Sequence, residues 1–484
     1  MSNKTLPPFW ISAIPIIVLI GLLSINIIFF GTESLAGPSQ IALFAASFVA
    51  VGLGIWKCKR SWNCMEESIS ANIRTTSLSI FILLAIGMLS ASWMISGIVP
   101  TMIYYGVKLI DARIFLMSAC LLCALVSLMT GSSWTTIATI GIALIGIGRA
   151  FGFSDGWTAG AIISGAYFGD KLSPLSDTTV LASSAAETPL FTHVKYMAYT
   201  SVPSLLISLV IFAIAGFVGN DIVIQDTSEF ENALKDTFTI SLWFLIVPAI
   251  TGFMIYKKVQ SLIVLIVSAL MGIIVALIFQ PQILMQIGGG SADGSLTAGG
   301  LYIGVMKMLG VSTSIETGLP LLNSLVATRG MAGMLNTIWL ILAAMMFGGV
   351  MNACGMLKSF SHTLFSKLVR TRVGLVASTI INGTFLNIVT GDQYISILLT
   401  ADMFKEEYES QGYENRLLSR SCEDGATVTS PLVPWSTCGM TQATVLGVAT
   451  IVYLPFCFFC YLSPIISIIT ALFGWKIHKN VVYQ

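Results

Sequence analysis

Two carboxylates and four hydroxyls crowd one short stretch, Gly169-Asp170-Lys171-Leu172-Ser173-Pro174-Leu175-Ser176-Asp177-Thr178-Thr179. Hydroxyl, carbonyl and carboxylate oxygens are hard ligands, suited to a small hard cation. A carboxylate can hold a cation or a proton. Burial favours its protonated form and a bound cation favours its ionised form, so competition for one group would couple two fluxes. Asp177, bracketed by Ser176 and Thr178, is the first candidate for that group and for a small-cation site built from those three residues. Asp170 is the second, although Lys171 could simply neutralise it. A matching stretch lies near the other end, Glu423-Asp424-Gly425-Ala426-Thr427-Val428-Thr429-Ser430-Pro431-Leu432-Val433-Pro434-Trp435. Both contain Ser-Pro-Leu, at 173–175 and 430–432.

The elements that must position these residues are apolar. Of 484 residues, 55% are hydrophobic and only 10% charged, and the mean hydropathy is +0.87. A soluble domain carries about 25% charged residues. The chain therefore reads as an all-α polytopic membrane protein, at about twenty residues per crossing. The run Phe9 to Phe30 reads as a retained helix, since no small-residue cleavage site is evident. Pro174 and Pro431 should break their helices, and non-helical backbone at membrane depth is tolerated only where protein or a cavity surrounds it. Paired breaks in two halves point to a transporter site. The plain alternatives are polar interhelical loops for the stretches, and a helix cap or structural ion pair for each Asp.

Two further polar tips suggest re-entrant hairpins. One is Gly131-Ser132-Ser133-Trp134-Thr135-Thr136, closed by Arg149 and Asp155. The other is Asn382-Gly383-Thr384-Phe385-Leu386-Asn387, with Asp392 just beyond. Ser132, Ser133, Thr135, Asn382, Thr384 and Asn387 are candidate tip ligands, with packing faces as the alternative. Thr429, Ser430, Asp392 and Asp424 are the second-half counterparts of Ser173, Ser176, Thr178 and the first-half carboxylates. The halves match in order: helix, interfacial segment (65–78 and 316–329), helix, hairpin, broken helix, helix. Crossings are expected at 10–30, 40–57, 79–97, 201–219, 237–256, 260–279, 334–353 and 447–472, with broken helices at 157–187 and 417–445. Basic residues mark the helix at 40–57 as running inward and that at 260–279 as running outward, so the repeats read as inverted. The expected division is 1–39 N-terminal helix, 40–219 first repeat, 220–259 linker and connecting helix, 260–475 second repeat and 476–484 cytoplasmic tail. The linker Asn220 to Asp236 and the Gly288 to Asp293 loop read as external. The stretch Glu187 to Lys195, with His193, reads as interfacial.

Nine cysteines form no legible framework and read as small packing residues. Neither a phosphate loop nor a His-rich pattern is present, so the expected energy source is an ion gradient, with no cofactor beyond transported Na+ and H+. A net charge of +1 suggests no nucleic-acid partner. Expected partners are membrane lipids, sodium, protons, a small carboxylate and a second copy of the chain. Paired broken helices argue against a channel, and no nucleophile–base pair suggests an enzyme.

The first stretch, with Asp392-Gln393-Tyr394 ahead of Met403-Phe404 and with Leu418-Ser419-Arg420-x-x-Glu423-Asp424 leading into Thr427-Val428-Thr429-Ser430-Pro431-Leu432-x-Pro434-Trp435, resembles the NhaC family of sodium/proton antiporters. The resemblance covers nearly the whole chain. It implies the ion-transporter superfamily fold, in which two re-entrant hairpins and two broken helices form a moving transport domain. It implies sodium/proton antiport, and some similar proteins exchange protons and malate for sodium and lactate. In that second case Lys171 could contact the anion. The family pattern often has Asn where this chain has Val180 and Ser436.

Lysines and arginines at 57–60, 257–258, 358–372 and 476–479 place both termini in the cytoplasm of a plasma-membrane protein. A fluorescent reporter fused after Gln484 should therefore fluoresce in bacterial cells, and a periplasmic phosphatase fused there should stay inactive. The opposite pair of readings would overturn that orientation.

Overall fold

A computed structural model describes residues 6–218, 227–289, 296–365 and 368–478. Among these the regular structure is helical, apart from one isolated bridge, Thr313–Thr328. The first half comprises α1 (Phe9–Phe30), α2 (Pro38–Trp56), α3 (Trp62–Ile95), α4 (Ile98–Leu109), α5 (Phe115–Thr130), α6 (Ser133–Ala150), α7 (Asp155–Leu172), α8 (Asp177–Ala185) and α9 (Leu190–Val218). Next come α10 (Thr227–Thr237), α11 (Leu242–Tyr256), α12 (Ser261–Phe279), α13 (Pro281–Gly288), α14 (Ala298–Gly310), α15 (Pro320–Val326), α16 (Leu335–Ala353) and α17 (Met356–Phe365). The site's second half is α18 (Arg372–Thr390), α19 (Gln393–Ser410), α20 (Asn415–Cys422), α21 (Thr437–Leu446) and α22 (Phe458–Phe473). Nine helices among the described residues are long and apolar enough to cross a membrane, or up to eleven if two bent pairs count.

Both expected helix breaks form. The backbone leaves the helix between Leu172 and Asp177; in the second half the helix widens over Glu423–Thr427 and then breaks between Val428 and Ser436. The first polar tip is also a break, at Gly131-Ser132, and Arg149 closes the unit by bonding both oxygens of Asp155 at 2.8 and 3.0 Å.

Several expected boundaries move. The interfacial segment at 65–78 and the crossing at 79–97 are one 34-residue helix, α3. At 1.5 Å per residue it is about 51 Å long, more than a bilayer's apolar core. Neither Gly nor Pro interrupts it before Gly87, and its buried face runs on through Met65, Asn72, Thr76 and Leu83. Asn72 donates to the Met345 carbonyl of α16 at 3.4 Å. The supposed counterpart at 316–329 is instead a loop pinned by the Thr313–Thr328 bridge and holding only the short α15. Residues 187–195 open into α9, where His193 is buried and bonds Ser419 Oγ at 2.8 Å. The stretch 237–256 bends by 86° before α11, and the stretch expected at 447–472 turns by 90° between α21 and residues 450–456. Of the expected linker, 220–226 lie outside the described residues and Thr227 onward is α10. Residues 290–295 of the Gly/Ser loop and the tail beyond His478 also lie outside them.

The second tip needs the largest correction. Residues 382–387 lie within the unbroken helix α18, and the turn falls at Gly391-Asp392. The reason is local. Gly391 takes φ +67, as Gly131 does, which favours glycine over side-chain-bearing residues. Thr130 Oγ1 and Thr390 Oγ1 each accept from the amide two residues on, at 3.1 and 3.3 Å, and each donates to that residue's carbonyl at 3.2 Å. Ser132 and Asp392 then cap the following helix, accepting from Thr135 N and Ile395 N. Thr-Gly-Ser and Thr-Gly-Asp thus solve one turn in the same way in both halves.

The hairpin α5–α6 is held to the broken helix by glycine. A Cβ on Gly165 would lie 2.0 Å from the Cys120 carbonyl oxygen, and one on Gly169 would lie 2.4 Å from the Ala124 oxygen. Small residues let the two backbones approach, and Cys120 and Cys123, both free thiols, are buried at this seam. Gly165→Val should therefore lower the stability of the detergent-solubilised protein by about 3 kcal/mol or more. Gly21→Ala, with nothing within 4 Å of the new atom, should change it by less than about 1 kcal/mol. Thermal unfolding of both variants checks the contrast, and equal melting points would refute it.

Candidate functional site

Pro174 forces Ser173 into extended backbone, φ −81 and ψ 127, and α7 stops at Leu172. Ser173 Oγ accepts from Leu175 N at 3.2 Å, shaping the turn. Ser176 then caps α8, and Asp177 opens its first turn. This break turns the Asp170 carboxylate toward the first hairpin. Asp170 accepts from Ser133 N at 3.1 Å, from Ser133 Oγ at 2.6 Å and from Ser176 Oγ at 2.6 Å. Ser176 and Thr178 hydroxyls lie 2.9 Å apart. Asp170 is 3% exposed, and Ser173, Ser176 and Thr178 are fully buried. Among the described residues no basic side chain bonds Asp170. Ser132 and Thr135 point to one another at 3.1 Å, closing the cap rather than reaching Asp170.

Asp177, the first candidate from sequence, is exposed. Its carboxylate accepts from its neighbour Thr178 N at 2.9 Å and from Tyr394 OH at 2.6 Å. It stands within electrostatic reach of both Asp170 and Asp392. The Tyr394 bond joins the first broken helix to the second hairpin.

In the second half Asp392 caps α19 through Oδ1, bonded by Ile395 N at 3.0 Å, and its buried Oδ2 has no well-formed hydrogen bond among the described residues, the Thr437 hydroxyl being its polar neighbour. Asn387 donates to the Ala426 carbonyl at 2.5 Å and to Thr429 Oγ1 at 3.1 Å, leaving its own oxygen free. Thr384 donates to the Gly425 carbonyl at 3.2 Å. These carbonyls are reachable because residues 423–427 wind as a wider helical turn. Asn382 faces Thr400 instead, at 3.2 Å. Ser430 bonds the Thr427 carbonyl at 2.7 Å, and Gln393 Oε1 accepts from it at 3.3 Å. Ser436, where the resembling pattern has Asn, caps α21 and donates to the Ser430 carbonyl at 2.6 Å. Val180 is 42% exposed, on the outer side of α8.

Lys171 corrects a second expectation. It does not balance Asp170. Its ammonium bonds Asp424 and, at 2.8 Å, Ser463 Oγ of α22, and Ser463 Oγ itself donates to Asp424 at 2.6 Å. Lysine and aspartate are both wholly buried. This ion pair brings the two broken helices together. It also occupies the lysine proposed as an anion contact. Ser463 could not be found from sequence, because a serine in an apolar helix reads as packing. Tyr394 could have been, since it stands beside Asp392 on the same turn.

Chemically, the first break offers a carboxylate ringed by rotatable hydroxyls. The second offers a carboxylate oxygen, an amide oxygen and main-chain carbonyls. All are hard oxygen donors of the kind that strip water from a small cation.

Residues 165–475 match the profile of the Na+/H+ antiporter family. The chain is 36% identical over 472 residues, 96% of each protein, to the malate-2H(+)/Na(+)-lactate antiporter of Bacillus subtilis. It is 36% identical over 419 residues, 87% of each, to the Na(+)/H(+) antiporter NhaC of Alkalihalophilus pseudofirmus. It is 31% identical over 478 residues to the arginine/ornithine antiporter ArcD of Halobacterium salinarum, covering 98% of this chain and 94% of that one. With two ion-paired broken helices, oxygen-lined turns and relatives that match along almost its full length, this chain is a multi-pass membrane protein and a secondary transporter belonging to the Na+/H+ antiporter family.

Proposed function

We propose that the protein exchanges Na+ for protons across the plasma membrane by alternating access, with cation and proton competing for buried carboxylates, chiefly Asp170. One observation carries this reading: Asp170 is buried among three hydrogen-bond donors with no basic partner among the described residues. An ionised carboxylate so placed is costly until a positive charge joins it. Either a proton or Na+ supplies that charge. Ser133 and Ser176 hydroxyls donate to the carboxylate and Thr178 bonds Ser176; each hydroxyl can reorient about its C–O bond, so the same oxygens can turn their lone pairs to a cation. Asp177, at the exposed end and held by Tyr394, draws the cation inward.

Asp392, with its open oxygen, is the matching carboxylate of the second half. The repeated Thr-Gly turn supports reading the halves as inverted repeats with re-entrant hairpins. Each hairpin turn abuts its own break: a Cβ on Gly131 would meet Leu175, and the Gly391 carbonyl accepts from Thr437 N at 2.7 Å. Two such units, moving as one body, would expose the site to each side in turn.

A second reading is exchange of a small organic acid coupled to Na+ and protons. The full-length likeness to the malate and lactate antiporter and to the arginine and ornithine antiporter supports it. It loses its basic contact at Lys171, which Asp424 and Ser463 hold.

In proteoliposomes, Na+ alone should collapse an imposed pH gradient in the first reading. As pH falls, protons win the competition and the apparent KM for Na+ should rise. If Na+ does nothing until a carboxylate or amino acid is added, the second reading replaces the first. Asp170→Asn should abolish Na+-dependent proton flux in protein that still elutes as a single species. Ser176→Ala should weaken apparent Na+ affinity by about tenfold, the effect of about 1.4 kcal/mol from one lost oxygen contact. Asp177→Asn should slow transport yet leave it Na+-dependent. Asp170→Asn protein that still moves protons at the wild-type rate would end the assignment.

A further inference from the structure

Exchange of an organic acid lacks a basic contact at the breaks, because Asp424 and Ser463 hold Lys171. The fold gathers positive charge elsewhere. A cavity of about 190 Å3 lies between the last part of α3, the far end of α6, the stretch from α15 to α16 and the end of α21. Arg149 and Arg329 both line it, and no acidic side chain does. Its volume is below the about 300–1,000 Å3 of sites for drug-sized ligands, so its occupant is small.

Arg329 is the available charge. It is exposed, and among the described residues no acid pairs with it. Its backbone is held on both sides. Thr328, just before it, exchanges two amide bonds with Thr313 at 2.9 Å, and Met331 N donates to the Leu309 carbonyl at 2.8 Å. A Cβ on Gly87 of α3 would lie 2.6 Å from the Gly330 carbonyl oxygen, so loop and helix meet backbone to backbone. Arg149 spends Nε and Nη2 on Asp155, which leaves Nη1 outside that pair. Asp155 thus offsets one guanidinium, and the charge of the other remains. The lining also offers the hydroxyls of Ser90 and Thr444 and an apolar wall from α6 and α21.

A cleft lined by one sign of charge concentrates ions of the other sign, so this cavity attracts anions and not Na+. The flat guanidinium fork matches a carboxylate through two parallel N–H···O bonds. The apolar wall suits a short carbon chain, which an inorganic anion lacks. We propose that this cavity binds a small organic acid by one carboxylate, with Arg329 as its charge partner and Arg149 Nη1 beside it. This rests on the second reading above, exchange of an organic acid. The cavity reaches the cation site through α21. Thr444 in its wall stands about 10 Å along that helix from Thr437, whose amide bonds the Gly391 carbonyl next to Asp392.

The test uses purified full-length protein in detergent, with lactate and L-malate as probes. Each should raise the unfolding temperature saturably at constant ionic strength, and lactamide, which lacks the charge, should not. Arg329→Gln should weaken the apparent affinity by about tenfold or more, as loss of a charge-assisted pair requires. Arg74→Gln, at an exposed arginine of α3 outside the cavity, should leave it unchanged. Equal affinity in wild type and Arg329→Gln overturns the proposal. So does a wild type that neither acid stabilises, or one that binds inorganic phosphate as tightly as the acids. Uptake of the labelled acids into Na+-loaded proteoliposomes separates this from failure of the organic-acid reading. Uptake whose KM is the same in Arg329→Gln overturns the cavity and spares the reading. Arg329-dependent binding without uptake ends the reading and leaves the cavity as the acid's binding site.

Discussion

The Lys171–Asp424 ion pair is the contact on which the site depends. Both side chains are wholly buried; Lys171 lies in the last turn of α7, and Asp424 in the wide helical turn 423–427 that precedes the second break. Two charges removed from water are tolerated only when well paired. Ser463 of α22 supplies the third corner by bonding both at Asp424 Oδ1, while Asp424 Oδ2 has no partner among the described residues. Losing either charge leaves the other uncompensated, at a cost of about 3–5 kcal/mol. The pair therefore fixes the two unwound segments against one another, and every oxygen of the site takes its place from those segments.

Around that pair the chain uses one local device twice. A threonine, a left-handed glycine and a capping residue stop one helix and start the next, at 130–132 and 390–392. One turn before each glycine, a polar side chain reaches a main-chain carbonyl of the broken helix. Ser127 Oγ bonds the Ala166 carbonyl at 2.5 Å, and Asn387 Nδ2 bonds that of Ala426 at 2.5 Å. Backbone that leaves the helix inside an apolar layer has no water to satisfy it. The hairpins satisfy it, and in doing so bring Ser133 to Asp170 and Asp392 to the second break.

The site is asymmetric in a useful way. Asp170 is surrounded by hydroxyl donors, Asp392 keeps an open oxygen, and Asp177 waits at the exposed end under Tyr394. Oxygen groups differing in burial and hydrogen bonding differ in how they trade a proton for a cation. Close glycine packing at Gly165 and Gly169 holds the hairpin and broken helix of the first half together.

Local chemistry was legible in the sequence. Hydropathy marked the chain as membrane-spanning, Pro174 and Pro431 marked the breaks, and Gly131 marked a turn, because each acts through its own backbone or its immediate neighbours. Positions 382–387 misled for the same reason. Their Asn, Gly and Thr resemble a turn when read alone, yet tertiary contacts to Thr400, Gly425 and Ala426 make them the polar face of a continuous helix. Likewise, residues 62–95 read as two segments, although α16 buries one unbroken stripe along them. Which group neutralises Lys171, and whether Asp170 or Asp177 is buried, were decided only by tertiary structure. A charge's partner and its distance from water depend on residues brought together across 253 positions of chain, as Lys171 and Asp424 are, and no local pattern records that distance.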